Sequence, residues 1–208
     1  MQKACSVDIV LFDFGGVIAD EGFKEGLRAI ARQNGVDEER FDNAAHEAIR
    51  TSNYLTGKAP EAAFWALLRK LTGIQGTDTD LRNECLSRFI IRDWMLELAG
   101  RLRDRGIRTG ILSDQTDWLD LLNDRYDFFR YYDHVFNSYH MGDGKWNPGH
   151  FDAVCQTLGV SAGQVLFIDD TPGHCERASQ RGLNVILYTG RNDFEEKIGA
   201  FCPLLENI

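Results

Sequence analysis

Five short runs of aliphatic and β-branched residues stand out from the mixed pattern of the chain, at 7–12, 108–112, 134–137, 164–168 and 184–188. They are apolar almost throughout rather than alternating, and each ends in a turn or polar residue, the pattern of strands buried on both faces. Between the last four the spacing of apolar positions becomes helical. "WMLELAGRLRDRG" places Met95, Leu98, Ala99 and Leu102 on one face before Gly106, and "DWLDLLNDRYDFFRYY" carries the same period over 117–132. "HFDAVCQTLG" and "CERASQRG" each close on glycine. A strand followed by a helix, repeated four times, predicts an α/β fold with a Rossmann-like parallel sheet flanked by helices.

Residues 20–92 break this rhythm. They hold no strand pattern but four amphipathic helical runs, "FKEGLRAIARQNG", "ERFDNAAHEAIRTS", "PEAAFWALLRKLTG" and "DLRNECLSRFIIRDW", with Thr56, Gly57 and Pro60 suited to a loop before a helix start. The pattern predicts an all-helical cap inserted after the first strand: a core domain at 1–18 and 93–208, and a cap domain at 19–92.

Composition narrows the function more than the fold. With 208 residues, 43% hydrophobic and 26% charged, the chain reads as globular. Its apolar runs fall far short of the roughly 20 residues of a membrane span, and Met1–Ser6 has no signal-peptide pattern, so the expectation is a cytoplasmic protein with no membrane partner. Five scattered cysteines, odd in number and with no C-x-x-C pair, indicate neither a disulfide framework nor a zinc site, and most of them are expected to be reduced, partly buried thiols. A net charge of −9 argues against nucleic acid and requires local cations for any anionic substrate.

Open parallel sheets place their ligand crevice at the carboxyl ends of the strands. The residues there are Asp13 with Gly15 and Gly16, Ser113 with Asp114, Ser138 through Lys145, Asp169 with Asp170, and Thr189 to Arg191. Taken singly, Asp13 suits a strand-end cap, Ser113 a turn and Lys145 a solvated surface. Asp169 and Asp170 are different. Adjacent carboxylates repel and raise each other's pKa unless a cation neutralises them, which points to a metal.

"VLFDFGGVIAD", "GILSD", "MGDGKWNP" and "VLFIDD" follow one another in the order and spacing of the four motifs of the haloacid dehalogenase-like (HAD) hydrolases, which the chain resembles over essentially its whole length. "DFGGV", "YLTGKAPEAAFW" and "MGDGK" are similar to the branch of sugar-phosphate phosphatases acting on glucose 1-phosphate. The resemblance implies a Mg²⁺-dependent phosphatase of a small phosphorylated metabolite, as a monomer or homodimer. In it Asp13 is the nucleophile that forms an aspartyl-phosphate, and Mg²⁺ lies between Asp13, the Gly15 carbonyl, Asp169 and Asp170. Ser113 and the Asp114 backbone bind the phosphate, and Lys145 neutralises charge.

Three departures accompany the match. Gly15 stands where such phosphatases carry a second aspartate, the general acid–base. Its absence predicts a preference for phosphates with good leaving groups, with Asp20, a cap residue or His174 left to position the hydrolytic water. Trp146 replaces a usual proline, and His174 a frequent asparagine. Two other readings remain open: a metal-free 2-haloacid dehalogenase, and a catalytically weak domain binding a metabolite or partner. Phe23, Tyr54, Phe64 and Trp65 are the aromatic residues available to wall a substrate pocket, although each also suits helix-against-helix packing.

Overall fold

The computed structural model describes residues 5–203. β1 (Ile9–Phe12), β2 (Arg108–Ser113), β3 (His134–Asn137), β4 (Val165–Asp169) and β5 (Asn184–Leu187) form one parallel sheet in the order β3-β2-β1-β4-β5. The first strand is thus central, with Ile9–Phe12 registered against Arg108–Ile111 on one side and Val165–Ile168 on the other. Its side chains alternate between two apolar layers, Val10 and Phe12 in one and Ile9 and Leu11 in the other. Burial on both faces explains why the run reads as continuously apolar.

Helices α1 (Gly22–Gln33), α2 (Glu38–Thr51), α3 (Glu61–Thr72) and α4 (Asp78–Leu86) all lie between β1 and α5 (Asp93–Arg103). The later crossovers carry α6 (Trp118–Tyr126), α7 (Ser138–Met141), α8 (Pro148–Leu158) and α9 (Pro172–Gln180), and α10 (Arg191–Phe201) follows β5. Helices α1 and α4 approach closely because Gly26 presents no side chain, since a Cβ there would strike Cys85; Gly22 likewise makes room for Phe89, just beyond the end of α4. The segments leading into and out of the insertion run side by side, with Asp20 N–H donating to the Ile90 carbonyl (3.0 Å) and Arg92 N–H to that of Ile18 (2.9 Å).

This pairing corrects one expected element. "DLRNECLSRFIIRDW" is not one helix: it stops at Leu86, and Ile91 bridges Ala19 antiparallel before α5 begins. Phe89 goes into the core, so the helical spacing of apolar residues there is an accident of two elements meeting. The run at 117–132 also breaks, where Asp127 adopts a left-handed φ of 51° and ends α6. The cysteine expectation holds for three of the five and is corrected for one pair. Cys5 and Cys202 form a disulfide because the two ends of the chain meet, Ser6 N–H donating to the Phe201 carbonyl at 2.8 Å, whereas Cys85, Cys155 and Cys175 are buried free thiols. No helix among the described residues is long and apolar enough to cross a membrane.

Candidate active site

Asp13 leaves the end of β1 in a position fixed from three sides. One carboxylate oxygen accepts from the Phe14 N–H (2.7 Å) and the Ser113 hydroxyl (2.7 Å), and the other pairs with Lys145 Nζ at 2.8 Å. Lys145 is 1% exposed and also reaches Asp169 Oδ2 at 2.6 Å, so one ammonium joins the ends of β1 and β4. Its loop is held for this purpose. Lys145 N–H donates to Asp114 Oδ1 (3.0 Å) and its carbonyl accepts from Arg177 Nε (2.7 Å), while a Cβ at Gly144 would collide with Trp146 and crowd Asp114.

Burial alone would depress the Lys145 pKa, but Asp13, Asp169 and Asp114 raise it, so the ammonium stays charged. Asp169 is fully buried, a setting that would raise its pKa, yet Lys145 and His174 hold it well below the usual carboxylate range. Asp13 is pushed up, chiefly by burial and then, against Lys145, by the charge of Asp169. A single buried cation therefore serves two carboxylates.

Asp170 behaves differently from its neighbour. It is half-buried, lines the cavity above the strand ends, and has its pKa raised by burial and by Asp169. Gly16, with a left-handed φ of +77°, is required beneath it, since a Cβ there would run into the Asp170 carboxylate. Gly15 needs no such conformation. Among the described residues Asp13, Asp169 and His174 form a group that could hold a metal, their ligand atoms lying within 4.8 Å of one another. His174 Nδ1 sits 3.2 Å from Asp169 Oδ2. Two oxygens of that trio already face Lys145, however, and Thr171 N–H binds Asp169 Oδ1 at 2.7 Å. The carboxylate that lacks such a cation partner is Asp170, set against the 13–16 loop. Oxygen donors of this kind suit a hard divalent cation such as Mg²⁺.

The insertion roofs a cavity of about 520 Å³. Phe23, Ile49, Leu55 and the core residue Trp118 give it an apolar wall, with Lys24 and Arg50 as cations and the His46 imidazole beside them. Of the aromatic residues expected there only Phe23 lines it. Tyr54, Phe64 and Trp65 are fully buried, packed on one another and on Trp118, and Tyr54 Oη donates to Asp117. The roof is tied down by Ser138 Oγ donating to the Leu55 carbonyl (3.0 Å) and Lys58 Nζ to that of Gly142 (3.1 Å).

The sequence profile of the haloacid dehalogenase-like hydrolases matches residues 7–176. The chain belongs to this family. No protein of curated function matches it in sequence. Solved HAD structures share its fold: a HAD family enzyme from Bacteroides thetaiotaomicron superposes with a TM-score of 0.76 at 24% identity, over 94% of this chain and 99% of that one. A predicted HAD-like hydrolase from Porphyromonas gingivalis gives 0.74 at 22%, covering 94% and 97%. The L-2-haloacid dehalogenase of Xanthobacter autotrophicus, solved with chloropropionic acid covalently bound, gives 0.64 at 19%, covering 96% and 86%.

In this HAD hydrolase the expected residues Asp13, Ser113, Asp114, Lys145, Asp169 and Asp170 all gather at one end of the sheet, with Gly15 on the cavity wall. Thr189–Arg191 do not join them: Arg191 packs over Trp94 at 4.8 Å and pairs with Glu195 at 2.6 Å. Asp20 also points away, held by Arg92 at 2.9 Å. A residue absent from the expected set faces the cavity instead. Glu21 is half-buried, and desolvation followed by the charge of Asp170 raises its pKa to about 7. In the sequence it reads as an acid at a helix start, where solvated carboxylates are common.

Proposed function

We propose that the protein is a Mg²⁺-dependent phosphatase acting on a small phosphorylated metabolite through an aspartyl-phosphate on Asp13. The observation that carries this reading is the charge balance of the cavity. Four carboxylates line it (Asp13, Glu21, Asp114 and Asp170) against three cations (Lys24, Arg50 and Lys145), and Lys145 is already shared between Asp13 and Asp169. A phosphate dianion entering such a site needs further positive charge. Asp13, the Gly15 carbonyl and the Asp169–Asp170 pair would hold Mg²⁺, with Asp170 the member of the pair that faces the cavity. When bound, the ion neutralises charge on the phosphoryl oxygens.

The chain's own residues supply the rest. Ser113 and Lys145 fix the Asp13 carboxylate for in-line attack on phosphorus. Ser113 and the Asp114 backbone receive the phosphoryl oxygens, and the apolar wall of Phe23, Leu55 and Trp118 excludes water. The B. thetaiotaomicron HAD enzyme was also solved with magnesium and inorganic phosphate, which supports the same pair of ligands here. The cavity volume accommodates a monosaccharide phosphate, in keeping with the sugar-phosphatase resemblance.

The dehalogenase likeness defines the competing outcome, since such a site would use Asp13 and Lys145 without metal. A panel of phosphorylated metabolites and 2-haloacids, assayed with Mg²⁺ and with a chelator, separates the two. Phosphate release that disappears with chelator is expected; halide release that persists with chelator would replace this reading.

A further inference from the structure

Glu21 occupies the N-cap position of α1, yet its side chain does not cap the helix. Among the described residues its carboxylate has no hydrogen-bond or ion-pair partner, and it lies in the wall of the cavity that holds Asp13. The carboxylate abuts the open face of Gly15: a Cβ built there would stand 3.4 Å from one Glu21 oxygen and 3.7 Å from the other. The glycine therefore leaves a space that a carboxylate from six residues further along shares with the Gln115 amide, whose Nε2 would stand 3.6 Å from the same Cβ.

The other acid–base groups of the cavity are committed. Lys145 is paired with two carboxylates, Asp114 holds the Lys145 backbone, His174 lies on Asp169, and His46 is 3.6 Å from Asp42. Asp170 faces the metal side. An alkyl phosphate cannot release its alcohol as a bare alkoxide at useful rates, so a proton must reach the leaving oxygen in the transition state.

Building on the phosphatase reading above, we propose that Glu21 is a catalytic residue, the general acid–base of the reaction, delivered by the first turn of the insertion into the space left open by Gly15. In the first step an Asp13 oxygen forms a bond to phosphorus while the bond from phosphorus to the substrate oxygen breaks. That oxygen keeps the electron pair and takes the proton of the Glu21 carboxyl. In the second step the Glu21 carboxylate takes a proton from water as the water oxygen bonds to phosphorus. The bond to Asp13 breaks, returning its electron pair to the Asp13 carboxylate, and inorganic phosphate leaves. One water is consumed and Glu21 ends protonated, as it began. The leaving-group preference expected from Gly15 alone is thereby removed.

The test compares wild type, Glu21→Gln and the double variant Glu21→Gln/Gly15→Asp on a primary alkyl phosphate and on p-nitrophenyl phosphate at saturating Mg²⁺. Glu21→Gln should lose about 10²- to 10⁴-fold in kcat/KM on the alkyl ester and far less on the aryl ester. With the aryl substrate it should release a burst of about one p-nitrophenolate per site, because hydrolysis of the phospho-aspartate becomes limiting. The double variant should recover much of the alkyl activity, since Gly15 is not in a left-handed conformation and the new side chain meets only side-chain ends.

Equal losses on both esters without a burst would make Glu21 a binding or structural residue and overturn the assignment, as would no loss at all. Circular dichroism and calorimetric Mg²⁺ binding establish that each variant is folded. If Glu21→Gln does not fold, Glu21→Ala must show the same split between esters for the assignment to stand. Wild type that releases phosphate from neither ester would sink the phosphatase reading itself, and this assignment with it.

Discussion

The floor and the roof of the cavity are built on opposite plans. On the floor, residues far apart in sequence are locked together: Ser113 binds Asp13 across 100 positions, and Lys145 joins Asp13 to Asp169. The buried charges Asp13, Lys145 and Asp169 each have two or more partners, because a buried charge without them costs several kcal/mol. The roof comes from the insertion and presents isolated groups, Phe23, Lys24, Arg50 and Glu21, over a densely packed aromatic layer. On the proposed reading the floor holds the nucleophile and the metal-facing acid in a fixed lattice of contacts, whereas the roof adds Glu21 and the groups that meet the rest of the substrate, and can change those groups without disturbing the sheet.

The comparison is tested most severely at Asp13. Asp13→Asn keeps the shape and the Ser113 contact but cannot form an acyl-phosphate, and its activity should fall to background on every substrate while the circular dichroism spectrum is retained. Turnover within tenfold of wild type would move the nucleophile elsewhere. Beryllofluoride trapping by wild type, absent in the variant or without Mg²⁺, gives a readout independent of turnover.

A smaller effect separates the two acids of the floor. Asp169 is buried and paired, so Asp169→Asn should strip Lys145 of a partner and lower stability by about 3–5 kcal/mol, seen as a lower midpoint in urea. Asp170 has its pKa raised in the fold. Its ionised form is therefore disfavoured there, at a cost that grows as pH climbs from the unfolded carboxylate range through the folded value and is complete above it. Asp170→Asn should slightly raise metal-free stability at neutral pH and weaken Mg²⁺ binding by calorimetry. Equal losses of stability for both variants would erase the distinction between anchoring and metal-facing acid.

The floor was legible in the sequence because it rests on strand ends. A strand buried on both faces writes a continuous apolar run, and the polar residue that ends it must do something at the edge of the sheet. Asp13, Ser113, Asp169 and Asp170 could be read this way. Lys145 was read from its motif, and its near-complete burial needed the sheet order that sets β1 beside β4. The roof was less legible. Tyr54, Phe64 and Trp65 look the same in a helical pattern whether they face substrate or Trp118, and only the packing decides. Glu21 was hidden by its neighbour Asp20. Both acids follow the first motif, and the bridges of Ala19 to Gly15 and Ile91 determine that Asp20 turns to Arg92 while Glu21 turns to the cavity.

The mildest test lies in the roof, at Phe23. Its ring lies 6.0 Å from that of Trp118 and 6.3 Å from that of His46, on the cavity side of the aromatic layer. It contacts no floor residue through a hydrogen bond or charge, so Phe23→Ala should leave the Asp13–Lys145–Asp169 network, and hence Mg²⁺ affinity, as it is. The variant forfeits an aromatic contact of about 0.5–1.5 kcal/mol, which corresponds to a rise in KM of roughly 2- to 13-fold for a substrate that packs on the wall. Inorganic phosphate reaches only the floor and should inhibit the variant and wild type equally. A fall in kcat with unchanged KM would mean instead that Phe23 acts on the chemical step, by sealing water from the strand ends, and the aromatic wall could no longer be separated from the reacting groups of the floor and Glu21.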